Sequence, residues 1–122
     1  MFEVCRVIIF CGEVERCGAF YRDVLGLTEL PSEHPPSEWM EFDAGGCRLA
    51  LHQAYGPDGA YREPTGGSEN PHKVVFHAAE VAAAREELVS RGAAMDPLKV
   101  FGDLQLCDGS DPEGHRFQIS NR

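Results

Sequence analysis

The chain has 122 residues, 43% of them hydrophobic, which is enough for one domain with a buried core. A formal net charge of −9 repels polyphosphate and anionic lipid, which argues against a nucleic-acid or membrane partner. No apolar run approaches the roughly 18–20 residues of a membrane span, and Met1-Phe2-Glu3-Val4 leads into a strand pattern rather than a secretory signal.

Residues 4–10 are short and β-rich and predict a strand. Residues 13–25 predict an amphipathic helix, with Val14, Cys17, Tyr21 and Leu25 at helical spacing and Phe20 and Val24 beside them. Gly26 follows as a left-handed cap. Three strands are expected at 27–32, 37–43 and 47–53, with Ala44-Gly45-Gly46 as the turn between the last two. Residues 55–71 are rich in glycine and proline and read as a connection in which Tyr55 and Tyr61 are candidates for a lid. A second strand–helix pair follows at 73–79 and 80–91, with Val81, Ala84, Leu88 and Val89 facing inward and Gly92 as the cap. Strands at 93–96, 99–108 and 114–120 complete the chain.

The second half repeats the first. Arg6 to Val14 aligns with Lys73 to Val81, a constant offset of 67 residues, since 73 − 6 = 67. Each copy is an apolar strand, a Glu-Val step, a helix and a glycine, so the order is βαβββ twice and the class is α+β. Alternation with period two gives each sheet two unlike faces. Val7, Ile9, Leu49, Leu51, Val74, Phe76, Phe117 and Ile119 form apolar faces suited to packing on helices. Opposite them lie mixed faces with Arg6, Ile8, Phe10, Arg48, His52, Lys73, Val75, His77, Arg116 and Gln118. Small Ala50 and Ser120 on those faces predict open space. The mixed faces therefore suggest the lining of a wet cavity. Cys5, Cys11, Cys17, Cys47 and Cys107 contain no C-x-x-C pair, and they fit reduced structural thiols in the cytoplasm.

Three stretches carry a family resemblance. Phe20-Tyr21-Arg22-Asp23-Val24-Leu25-Gly26-Leu27 resembles the FYrdvLGL stretch of the vicinal-oxygen-chelate superfamily, which includes glyoxalase I, bleomycin-resistance proteins and extradiol dioxygenases. Asp111 to Ile119 resembles its DPeGn-x-x-E-L ending, and Arg91-Gly92-Ala93 its rGa turn. The resemblance implies a single domain over 1–122. Its two tandem βαβββ modules, 4–54 and 72–121, would be joined by the loop 55–71 and would form an incomplete barrel. It also implies a homodimer and a small-molecule ligand. Enzymes of the group hold one divalent metal that chelates two substrate oxygens.

Carried over by motif, the implied metal-ligand positions fall at Arg6, Arg48, Lys73 and Gln118. Arg and Lys are protonated donors that do not ligate divalent ions. The first expectation is accordingly a metal-free binding protein with no cofactor. Arg6, Arg48, Lys73 and Gln118 would receive a small anion, and Phe10 and Trp39 would bind its apolar part. The bland alternative is that the bases are neutralised by acidic residues such as Glu41 or Glu29. A second functional expectation is an enzyme, a glyoxalase-type lyase or isomerase or a dioxygenase. Its site would use His52 and His77, either as ligands of a displaced Zn, Ni or Fe ion or as a metal-free base.

Overall fold

Alternating exposure runs along the first strand of the computed structural model, which describes residues 1–55 and 72–122. In β1 (Arg6–Cys11), Arg6, Ile8 and Phe10 are exposed and Val7 and Ile9 are half-buried, as the pleat of a strand requires. Helix α1 (Val14–Ala19) buries Val14 and Cys17 and runs directly into a π-helical segment, Phe20–Val24, that buries Phe20 and Tyr21. The predicted helix is thus present, but its second half is wound more loosely. The Leu25 N–H donates to the Phe20 carbonyl five residues back, a bond that brings neighbouring Phe20 and Tyr21 both into the core. Gly26, at φ 75°, takes the left-handed conformation that stops it.

Strands β2 (Thr28–Leu30), β3 (Trp39–Asp43) and β4 (Arg48–Gln53) complete the first sheet, in the order β1-β4-β3-β2. β1 lies parallel to β4, and the other pairings are antiparallel. Helix α1 sits so close to β3 that a Cβ on Gly18 would lie 2.3 Å from Met40 Sδ. The core of this unit is built by Tyr21, Phe42, Leu49 and Leu51.

The second unit contains β5 (Val74–His77), α2 (Val81–Ser90), β6 (Ala94–Met95), β7 (Lys99–Phe101), β8 (Leu104–Ser110) and β9 (Arg116–Ser120). β5 is parallel to β9, β9 is antiparallel to β8, and both β6 and β7 pair with β8. Two expectations are corrected. The single strand predicted over 99–108 is a hairpin: Phe101 pairs with Leu104, and Gly102 at φ 60° opens a two-residue turn of the Gly-X kind. Val89, predicted to face inward, is 45% exposed; Val81 and Leu88 are the buried residues of α2. β6 and β7 are two pieces of one strand, interrupted around Pro97, which has no N–H to give a ladder.

The protein is therefore α+β, with two βαβββ modules and two mixed sheets. Cys107, Phe117 and Ile119 pack the second core with Val81. Tyr61 and most of the predicted connection lie outside the described residues. No helix among the described residues is long and apolar enough to cross a membrane.

Candidate functional site

The strand register of the first sheet sorts its mixed face into rows. Arg6 stands opposite Arg48, and Arg48 opposite Asp43. One step along, Ile8, Ala50 and Glu41 stand side by side, and a further step along come Phe10, His52 and Trp39. The third row is aromatic throughout. Its ring centroids are 5.7 Å apart from Phe10 to His52 and 5.7 Å from His52 to Trp39, all in edge-on geometry. Tyr55 and His34 extend it, at 6.1 Å from His52 and from Trp39 respectively. His52 Nδ1 lies 2.6 Å from the Gln53 carbonyl oxygen. A carbonyl only accepts, so Nδ1 carries the proton and the ring is fixed in orientation.

Between the basic and aromatic rows sits Glu41, 8% exposed. Its carboxylate accepts from Arg6 Nε at 2.9 Å and from Arg48 Nη1 at 3.4 Å. Burial pushes this carboxyl up, but the hydrogen bond and charge of Arg6, joined by Arg48, win and hold it below its ordinary value. Arg6 also reaches the aromatic row: its guanidinium carbon is 5.9 Å from the Trp39 ring centre. Next to Trp39 lies an open hollow of about 370 Å³. Leu30, Pro36, Trp39 and Met40 give it apolar walls, and Glu29 and His34 its polar ones.

The second sheet repeats the ion pair. Asp108, also 8% exposed, accepts from Lys73 Nζ at 2.9 Å and from Gln118 Nε2 at 3.0 Å. Lys99 Nζ stands 3.8 Å from its other oxygen. Burial again works upward and is outweighed, here by the hydrogen bonds of Lys73 and Gln118 and the charges of Lys73 and Lys99. Arg116, on the same face, is held by Ser110 and Asp96 instead.

Of the residues predicted for a site, Arg6, Arg48, Phe10, Trp39 and His52 come together on the first sheet, and Lys73 and Gln118 meet at Asp108 on the second. His77 is exposed on β5, opposite Ser120 in register. The space predicted over Ala50 and Ser120 is closed, since they are 0% and 4% exposed. Of the two acids named as partners for the bases, Glu41 takes that role, whereas Glu29 lies 4.0 Å from Arg22. Asp108, Lys99 and His34 were not among the predicted residues. Asp108 was within reach of the repeat, because 108 − 41 = 67, the offset that relates Lys73 to Arg6.

A divalent metal does not fit the four positions that the resemblance assigns to it. Three of the side chains are positively charged donors, and the amide of the fourth is turned to Asp108. Among the described residues, neither His52 nor His77 belongs to a group of three or more metal-ligating side chains.

Comparison with known proteins places the chain. Residues 6–120 match the model of the Glyoxalase-like domain. The chain belongs to this family. No curated protein sequence matches it. Solved structures match its fold at low identity. A member of the glyoxalase/bleomycin resistance protein/dioxygenase superfamily from Sphaerobacter thermophilus is 20% identical, with a TM-score of 0.76 over 98% of this chain and 97% of that one. TnmS3, an antibiotic binding protein from a Streptomyces species, is 20% identical with a TM-score of 0.70, covering 98% and 94%. A lactoylglutathione lyase from Agrobacterium tumefaciens is 18% identical with a TM-score of 0.74, covering 97% and 92%. The glyoxalase-like fold is thus shared by a protein described as a binder and one described as a lyase.

Proposed function

We propose that this glyoxalase-like protein binds a flat organic anion and does so without the family's divalent metal. The observation that carries the reading is the register of the first sheet, where a basic row and an aromatic row flank one buried carboxylate. A ring would rest against Phe10, His52 and Trp39, with the hollow beside Trp39 taking further apolar bulk. The acid group would lie at the outward side of Arg6 and Arg48, which together exceed Glu41 by one charge. The antibiotic-binding relative supports the view that this fold can serve by holding a molecule. Self-association as a homodimer belongs to the same reading and is tested by sedimentation equilibrium.

Trp39 is the only tryptophan, so its fluorescence reports on the site directly. Benzoate should change its emission in a saturable way, and uncharged benzyl alcohol should do so far more weakly. Arg48→Ala should weaken the benzoate response about tenfold, in line with a lost charge-assisted hydrogen bond. The exposed Arg91→Ala should leave it alone. No saturable change, or the same response in Arg48→Ala as in the parent, removes the reading.

One observation favours a second reading, a metal-free isomerase or lyase. With its Nδ1 proton committed to Gln53, His52 would offer Nε2 as a base, and Arg6, which reaches the neighbouring Trp39 ring, is the cation that would steady an oxyanion. Hydrogen exchange into D2O from the methyl group of pyruvate, followed by proton NMR, tests it. Protein-dependent exchange that vanishes in His52→Ala supports the base, and a rate equal to buffer removes it.

A further inference from the structure

The two ion clusters share a composition that the repeat alone does not explain. In each module the carboxylate is nearly covered, with 11% of the Glu41 side chain and 10% of the Asp108 side chain accessible. In each, the short 2.9 Å bond comes from the residue at the head of the first strand, Arg6 or Lys73. These two pairs are related by the constant offset, so the pairing is inherited from the duplication. A second base then stands farther off: Arg48 at 3.4 Å, 56% accessible, and Lys99 at 3.8 Å, 54% accessible.

These second bases are not related by the repeat. Arg48 lies on β4 opposite Arg6, and its counterpart by position on β9 is Arg116, which turns to Asp96 and Ser110. Lys99 lies on β7, and the residue 67 places before it is Ser32. The outer cation thus comes from a different position in each module. One base is enough to neutralise one carboxylate, and a second, half-exposed base contributes little to stability. Asp43, opposite Arg48 in register, turns its carboxylate to the Gly45 N–H and forms no ion pair with Arg48, whose ion-pair partner among the described residues is Glu41.

We infer that each module carries its own anion half-site, with Glu41 and Asp108 as positioning residues and Arg48 and Lys99 as the ligand-facing cations. The carboxylate fixes the inner base and leaves one formal positive charge, from two bases and one acid, directed outward. A small molecule with one acidic group is the ligand class that matches each half-site. The inference rests on the metal-free anion reading and extends it to the second module.

Amide chemical shifts of the uniformly ¹⁵N-labelled full chain, titrated with benzoate, test it. Two separate sets of perturbed amides are expected, one around 40–50 and one around 99–108. Arg48→Ala should weaken the response of the first set about tenfold and spare the second, and Lys99→Ala should do the reverse. Both side chains are half-exposed, so the variants should keep the parent spectrum elsewhere. Perturbation confined to the first set overturns the second half-site while leaving the metal-free reading standing. Loss of both sets in either single variant overturns the independence of the half-sites. No perturbation in either module sinks both ideas.

Discussion

Across the first sheet Phe10, His52 and Trp39 stand in register, and at the corresponding places of the second stand His77, Ser120 and Leu106. Beside these unlike rows each sheet keeps an acid–base pair at equivalent places, Glu41 with Arg6 and Asp108 with Lys73. The cores differ in a related way. In the first module Phe42 pairs with Leu49, and in the second Gly109 pairs with Phe117, so the large ring has moved to the neighbouring strand. Duplication has kept the electrostatic anchor and one large ring at this pair of core positions. It has released the identity of the residues around them, and among the described residues the aromatic row stands in the first module.

If the two cores are equivalent in volume, Phe42→Ala and Phe117→Ala should each cost about 3–5 kcal/mol in urea unfolding, the usual cost of emptying a fully buried ring site. Tolerance of one but not the other would break the equivalence. The anchors come next in size. Glu41→Gln and Asp108→Asn should each lower stability by about 1–3 kcal/mol, since each weakens the charge-assisted hydrogen bonds of a nearly covered carboxylate. A loss in one module alone would show that the shared geometry is not shared energetics.

Gly109→Ala should cost about 1–3 kcal/mol, because its Cβ would lie 2.7 Å from Phe117 Cζ and 2.4 Å from Met95 Sδ. Adding Phe117→Leu should recover part of that loss by vacating the ring's space, whereas the same change alone should only destabilise. No recovery in the double variant would mean that the flexible Met95 governs the site. The acid response is smaller. Glu41 and Asp108 have ordinary values of 4.5 and 3.8 and lie below them when folded. Their contribution is complete above the ordinary values and is lost as pH falls through the lowered ones. The urea midpoint should therefore drop less between about pH 6 and pH 3 in the Glu41→Gln/Asp108→Asn double variant than in the parent. Arg22→Ala, which breaks an exposed pair with Asp23, should leave the midpoint unchanged in thermal unfolding.

Much of this was legible from residue order. Strand faces followed from alternation, and the helices from their apolar spacing, because both periods are set by backbone geometry alone. The hairpin at Gly102 was hidden because Lys99 to Asp108 reads as one β-rich run, although its Gly-Asp step is a turn signal. The looser turn at Phe20–Val24 left no mark in the sequence, since i+3, i+4 and i+5 bonds suit the same residues and packing selects among them. Arg6 and Arg48 were recognised as bases on the mixed face. Their acceptor was harder to assign, because a carboxylate on a strand reads equally well as solvated. Asp108 was missed for that reason, although extending the 67-residue offset beyond the apolar positions leads to it.

Met40 belongs to two environments at once. Its thioether is the seat on which Gly18 lets helix α1 rest, and the same residue lines the hollow beside Trp39. An occupant deep enough to displace that sulfur would lever the helix away from its strand. The reach of any guest into the hollow would thus be limited by the stiffness of the protein's own interior.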